Sequence, residues 1–113
     1  MSDATLQLRV ADTPWQRMRG LLGYAPLKAD QGLLIKPCNM IHTVGMRYSI
    51  DVVYVDVRGR VLKIAKDVAP LRTSACLRAH AVLELAAGQA QAFGLRVGQT
   101  LPAAWWPGKA DSP

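Results

Sequence analysis

The sequence predicts one mostly-β (α+β) domain: a compact barrel-like or folded antiparallel sheet with one or two short helices. Three observations predict it. Residues 50–57 read Ile-Asp-Val-Val-Tyr-Val-Asp-Val, with Val52, Val53, Tyr54 and Val55 unbroken by any polar side chain. Such a run suits an interior strand covered on both faces. Other short apolar runs follow at close spacing, separated by glycine, proline and charged residues, which is the pattern of a small sheet. Finally, 113 residues, half of them hydrophobic, suffice for one core; a chain of this size buries roughly 65% of its unfolded surface. The domain is expected over residues 5–102, with residues 103–113, including Trp105 and Trp106, as a C-terminal tail.

Taken in order, residues 5–10 alternate Leu6, Leu8 and Val10 with Thr5, Gln7 and Arg9, a half-buried strand of period two. Asp12 or Thr13 then caps a helix that Pro14 can open. Trp15, Met18 and Leu22 share its apolar face, and Gly20 and Gly23 stop it. Residues 24–30 read as loop and 32–36 as a brief strand ended by Pro37. Residues 38–49 are extended or looped. Residues 50–57 form the central strand. The Arg58-Gly59 pair turns the chain, and residues 60–66 return as a hairpin. A loop over 67–79 leads to a strand at 81–86 and one helical turn at 88–93. A last short strand is expected over 95–101.

The net charge is +6, and the excess lies in one stretch. Residues 58–78 carry Arg58, Arg60, Lys63, Lys66, Arg72 and Arg78 against Asp67 alone. This reads first as an edge strand protected by cations and second as an anion or membrane-surface contact. The basic residues keep to neither face and no aromatics interleave with them, so nucleic-acid binding is not expected. No apolar run reaches the roughly 18 residues of a membrane span, and the opening residues lack the pattern of an export signal. A cytoplasmic monomer is expected from the chain as it stands, or a periplasmic or exported one if a signal has been removed. Two cysteines, Cys38 and Cys76, are expected as reduced thiols.

Asp51 and Glu84 are lone carboxylates inside strong strands. Asp51 shares a face with Val53 and Val55, Glu84 with Val82 and Ala86. Burying either unpaired costs several kcal/mol, so each needs a partner: an arginine (Arg17, Arg19 or Arg47), loop amides or a ligand. His42 and Thr43 lie just before the central strand. The expected binding site therefore gathers Arg17, His42, Thr43, Asp51 and Glu84, in a non-enzymatic module for a small molecule or protein partner. The alternative is an acid–base hydrolase using Asp51 or Glu84 with His42. In an extended segment Cys38, Met40 and His42 fall on one face, with Met46 shortly after, a soft donor set that suits Cu(I) as the secondary metal reading. No zinc spacing, nucleophile context or phosphate-binding glycine loop is present. No cofactor is implied and no catalytic residue is assigned.

The chain carries Arg17-Met18-Arg19-Gly20-Leu21-Leu22-Gly23, Gly32-Leu33-Leu34-Ile35 and Cys38-Asn39-Met40-Ile41-His42-Thr43. Then come Met46-Arg47, Ile50-Asp51-Val52-Val53-Tyr54-Val55-Asp56, Gly59-Arg60-Val61, Val82-Leu83-Glu84-Leu85-Ala86-Ala87-Gly88 and Gly94-Leu95-Arg96-Val97-Gly98. The resemblance of these motifs, in this order, is to the domain of unknown function 192, a family of small bacterial and archaeal proteins. It covers about residues 5–101 and is similar to the branch with an Ile-His-Thr core rather than Trp-Met-Lys-Asn. Ser49 departs from the family's usual proline before the Ile-Asp pair. The resemblance implies a compact, mostly-β fold and no particular activity. Because other members often carry an export signal or lipoprotein start, it also weighs against the cytoplasmic expectation.

Overall fold

A computed structural model describes residues 5–21 and 25–106. Its frame is a five-stranded sheet built from β1 (Gln7–Ala11), β2 (Gln31–Ile35), β4 (Ile50–Val55), β5 (Val61–Val68) and β7 (Ala81–Ala86), in the order β1-β2-β7-β4-β5. A two-stranded ribbon pairs β3 (Met40–His42) with β6 (Thr73–Ala75). The sheet is mixed, because β1 pairs parallel with β2 while the other pairings are antiparallel. It stays open at β1 and β5, so of the two architectures expected it is nearer the folded antiparallel sheet than a closed barrel, with the β1–β2 pair parallel where antiparallel was expected.

Alternation along β4 and β7 sorts their side chains onto two buried faces. Val53, Val55, Leu83 and Leu85 join Leu34 in one core; Ile50, Val52, Tyr54 and Val82 join Leu33 and Ile35 in the other. Coverage of both faces explains the unbroken apolar run in β4, whose six residues are all buried. The first face is closed by α2 (Gln89–Ala92) and by Leu95, Leu101, Trp105 and Trp106. The second is closed by Leu21, which follows α1 (Pro14–Arg19), and by Ile41, Cys38 and Met46 of the ribbon and its flanks.

Three expectations are corrected. Residues 95–101 form no strand: only an isolated bridge joins Thr100 to Arg60, although Val61 N–H donates to Gln99 O at 2.8 Å and Leu101 N–H to Gly59 O at 2.9 Å. Gly94 and Gly98, both at positive φ, bend this stretch off a strand path while it still caps the hairpin end. The tryptophans of the expected tail are core residues, Trp105 at 3% exposure and Trp106 at 7%, with a 3-10 turn over Ala103–Trp105 delivering them. The apolar face of α1 does not pack inward either. Trp15 is 70% exposed and Met18 73%, and no residue of the helix is buried; Leu22, the third residue of that face, and Gly23 lie outside the described residues. The helix is held instead by its capping box, in which Gln16 N–H donates to Thr13 Oγ1 at 3.2 Å and Gln16 Oε1 accepts from Thr13 N–H at 3.3 Å.

Candidate functional site

Between α1 and the β3 ribbon, on the second face of the sheet, lies a cavity of about 70 Å³. Roughly 10–15 Å³ suffices for one water. Arg17, Met18 and Leu21 wall one side, Cys38, Met40, Ile41, His42 and Met46 the other, and Ile35 and Glu84 come from the sheet. The two faces of β7 explain why Glu84 is there: it shares a side with Val82, opposite Leu83 and Leu85. Glu84 is only 4% exposed, and its Oε1 has no hydrogen-bond partner. Burial pushes its carboxyl up to about 7 from an ordinary 4.5. Of the alternatives for this carboxylate, neither an arginine nor a loop amide reaches Oε1.

Two further buried polar atoms nearby lack partners. Arg17 leans on Pro37 O through one guanidinium N–H at 3.3 Å, but its Nε is unpaired; the Tyr48 hydroxyl, whose pKa is raised by burial and then by Glu84, is unpaired too. Cys38 donates its thiol to Met40 O at 3.2 Å, and burial raises its pKa above the usual thiol value, with the Glu84 charge adding to this and Arg17 opposing it. Both cysteines are free. Alternation in β3 buries Ile41 and leaves Met40 and His42 exposed at the cavity rim.

The structure thus brings together Arg17, His42 and Glu84, and parts them from Asp51 and Thr43. Asp51 faces the opposite side of the sheet, on the parity of Val53 and Val55. Its Oδ1 accepts from Asp67 N–H at 2.8 Å, and its Oδ2 from Gly88 N–H at 3.0 Å and Ala90 N–H at 2.9 Å. These bonds pin the bulge where β5 meets β4 and the start of α2. The loop before β4 is held instead by Thr43, whose hydroxyl donates to Ala69 O at 2.7 Å and accepts from Arg72 N–H at 2.8 Å. Thr43 points into that turn, not into the cavity. The soft set Cys38, Met40 and His42 does converge on the cavity. Among the described residues no three His, Cys, Asp or Glu side chains group closely enough to hold a metal ion. Met18 and Tyr48 were not among the expected site residues. A thioether or phenol carries no sequence signal of its own, because each is an ordinary core residue as well.

No helix among the described residues is long and apolar enough to cross a membrane. No curated protein matches the chain. A crystal structure of a protein of unknown function from Novosphingobium aromaticivorans superposes with a TM-score of 0.74 at 22% identity, covering 82% of this chain and 71% of that one. A second, from Sinorhizobium meliloti and described as a candidate transcription regulator, gives 0.75 at 23%, covering 82% and 78%. At these identities the likeness is one of fold: an open mixed sheet with short helices. The matched family spans residues 1–103, and the chain belongs to it: the DUF192 family of uncharacterised ACR proteins.

Proposed function

We propose that the protein is a non-enzymatic binding module for a small molecule, and that the cavity between α1 and the β3 ribbon is its binding site. One observation carries the reading: the Glu84 carboxylate is buried in the cavity wall with an oxygen that no protein group satisfies. An unpaired buried acceptor costs roughly 1–3 kcal/mol, so a ligand that donates a hydrogen bond there recovers what the fold gives up. Arg17 and His42 line the same cavity and supply its other polar contacts. Asp51 and Thr43 act as structural anchors in this reading, since their acceptors and donors are satisfied by backbone.

The alternative acid–base role has one observation in its favour. A carboxyl pushed to about 7 is matched to proton transfer at neutral pH, and His42 lies on the same cavity. Against it, no nucleophile–base pair with hydrogen-bond geometry is present among the described residues at the cavity. The test is a thermal-shift screen of the parent chain and Glu84→Gln with small amines, amides and metal ions. A native-state ligand at 100 times its Kd adds about 2.7 kcal/mol, a shift easily read in a small domain. The expected result is a compound that raises the parent's Tm and leaves the variant's in place. Equal shifts in both, or none in either, would remove the cavity from consideration. Turnover of a chromogenic ester by the parent, lost in Glu84→Gln, would favour the hydrolytic reading instead.

A further inference from the structure

We propose that the cavity takes a soft monovalent cation, Cu(I), held by the sulfur atoms of Cys38, Met40 and Met46. The inference rests on the binding reading above and names its ligand. Three of the chain's four methionines, Met18, Met40 and Met46, line this one cavity together with Cys38. Packing accounts for Cys38 and Met46, which lie against the second core, but not for Met18 and Met40, which are exposed at the rim, where thioethers bury little surface. Unbranched thioether side chains are flexible enough to fold inward onto a guest, and sulfur donors select Cu(I) over harder cations. Buried Glu84, without a partner for Oε1, lies in the wall of the same cavity, and a cation entering it favours the ionised carboxylate as its countercharge. A zinc-type set of three His, Cys, Asp or Glu side chains is not assembled among the described residues. Binding breaks the Cys38 S–H bond and forms Cu–S, and the proton leaves to solvent.

The experiment is an anaerobic titration of the full chain against the coloured Cu(I)–bicinchoninate complex, with Zn(II) as control and Ag(I) as a redox-inert surrogate. The parent is expected to withdraw one equivalent of Cu(I). Cys38→Ser and Met46→Leu should each weaken the uptake tenfold or more, while Cys76→Ser leaves it unchanged; circular dichroism confirms that each variant is folded. Met→Leu keeps shape and removes only the thioether. Failure of the parent to withdraw copper overturns the proposal. So does a Met40→Leu/Met46→Leu double variant that binds like the parent, since a bare thiol would then be the whole site, or loss of uptake in Cys76→Ser. If copper is not taken but an organic donor still raises the Tm in a Glu84-dependent way, the copper assignment falls and the binding reading stands. If copper is withheld and no compound acts through Glu84, both fall.

Discussion

Two buried carboxylates divide the labour of this chain, and environment alone decides which does what. Asp51 has three backbone N–H donors within 3.0 Å. Replacing it with alanine leaves the buried Ala90 N–H unpaired, at roughly 1–3 kcal/mol, and releases the part-buried amides of Asp67 and Gly88. Asp51→Ala should therefore lose about 1–3 kcal/mol or somewhat more, and Asp51→Asn, which keeps one acceptor, clearly less. Urea melts of the three proteins check this; equal loss in both variants would show that the acceptors do not matter. Glu84 shows the opposite behaviour. Its folded carboxyl sits at about 7 against an ordinary 4.5. Below pH 4.5 both folded and unfolded chains are protonated there, and the residue adds no pH dependence. Between pH 4.5 and 7 the unfolded chain ionises while the folded one stays protonated, so stability falls by about 3 kcal/mol over that window and levels off above it. Glu84→Gln removes this loss. The stability gap between variant and parent should widen by that amount from pH 4 to pH 8, measured by urea melts at each end; a constant gap refutes the assignment.

At the scale of elements, α1 and the β4–β5 turn are held by local devices rather than by burial. Because α1 buries none of its residues, its capping box carries an unusual share of its stability. Thr13→Ala should cost about 1 kcal/mol. It should also raise amide exchange across Pro14–Arg19 selectively, which hydrogen-exchange mass spectrometry resolves; unchanged exchange would mean that neighbouring contacts hold the helix. In the turn, Asp56 Oδ1 accepts from Arg58 N–H at 2.9 Å and Arg60 N–H at 3.0 Å, and Gly59 sits at φ +80°. A Cβ on Gly59 would also lie 3.3 Å from the Trp106 ring. Gly59→Ala therefore meets backbone strain and a tight contact at once, and should cost more than the ~1 kcal/mol of an ordinary left-handed glycine. Adding Trp106→Ala relieves the contact but not the strain, so the double mutant should be less destabilised than the sum of the singles. Strict additivity would sink the contact argument. At the sheet edge, β5 carries Lys63 and Lys66 where the sheet stops, the placement in which cations discourage edge-to-edge pairing.

For the whole molecule, the C-terminal segment completes the core. Trp105 stacks edge-on with Phe93 at 5.0 Å between centroids, and both tryptophans join the cluster of Leu34, Val53 and Leu83. Truncating a buried tryptophan to alanine costs roughly 3–5 kcal/mol. A chain ending at residue 102 should accordingly melt far below the parent in a calorimetric scan, and a parent-like Tm would show that the segment is dispensable. Trp15, by contrast, stays 70% exposed.

Strand identity was legible because β4 and β7 are apolar but for one carboxylate each, and period and length settle what such runs become. The helix start at Thr13-Pro14 and the turn at Gly59 were equally local, each decided by a residue and its immediate neighbours. The parallel pairing of β1 with β2, the burial of Trp105 and Trp106, and the exposure of Trp15 and Met18 were not. Those depend on which surfaces meet across many residues of separation, and an apolar side chain reads the same whether it is covered or not. The site divides along the same line. Arg17, His42 and Glu84 stood out as polar groups in apolar surroundings, but Asp51 and Thr43 stood out for the same reason. Only the sheet, by sending successive residues of a strand to opposite faces, placed Glu84 at an unfilled cavity and Asp51 against three waiting amides.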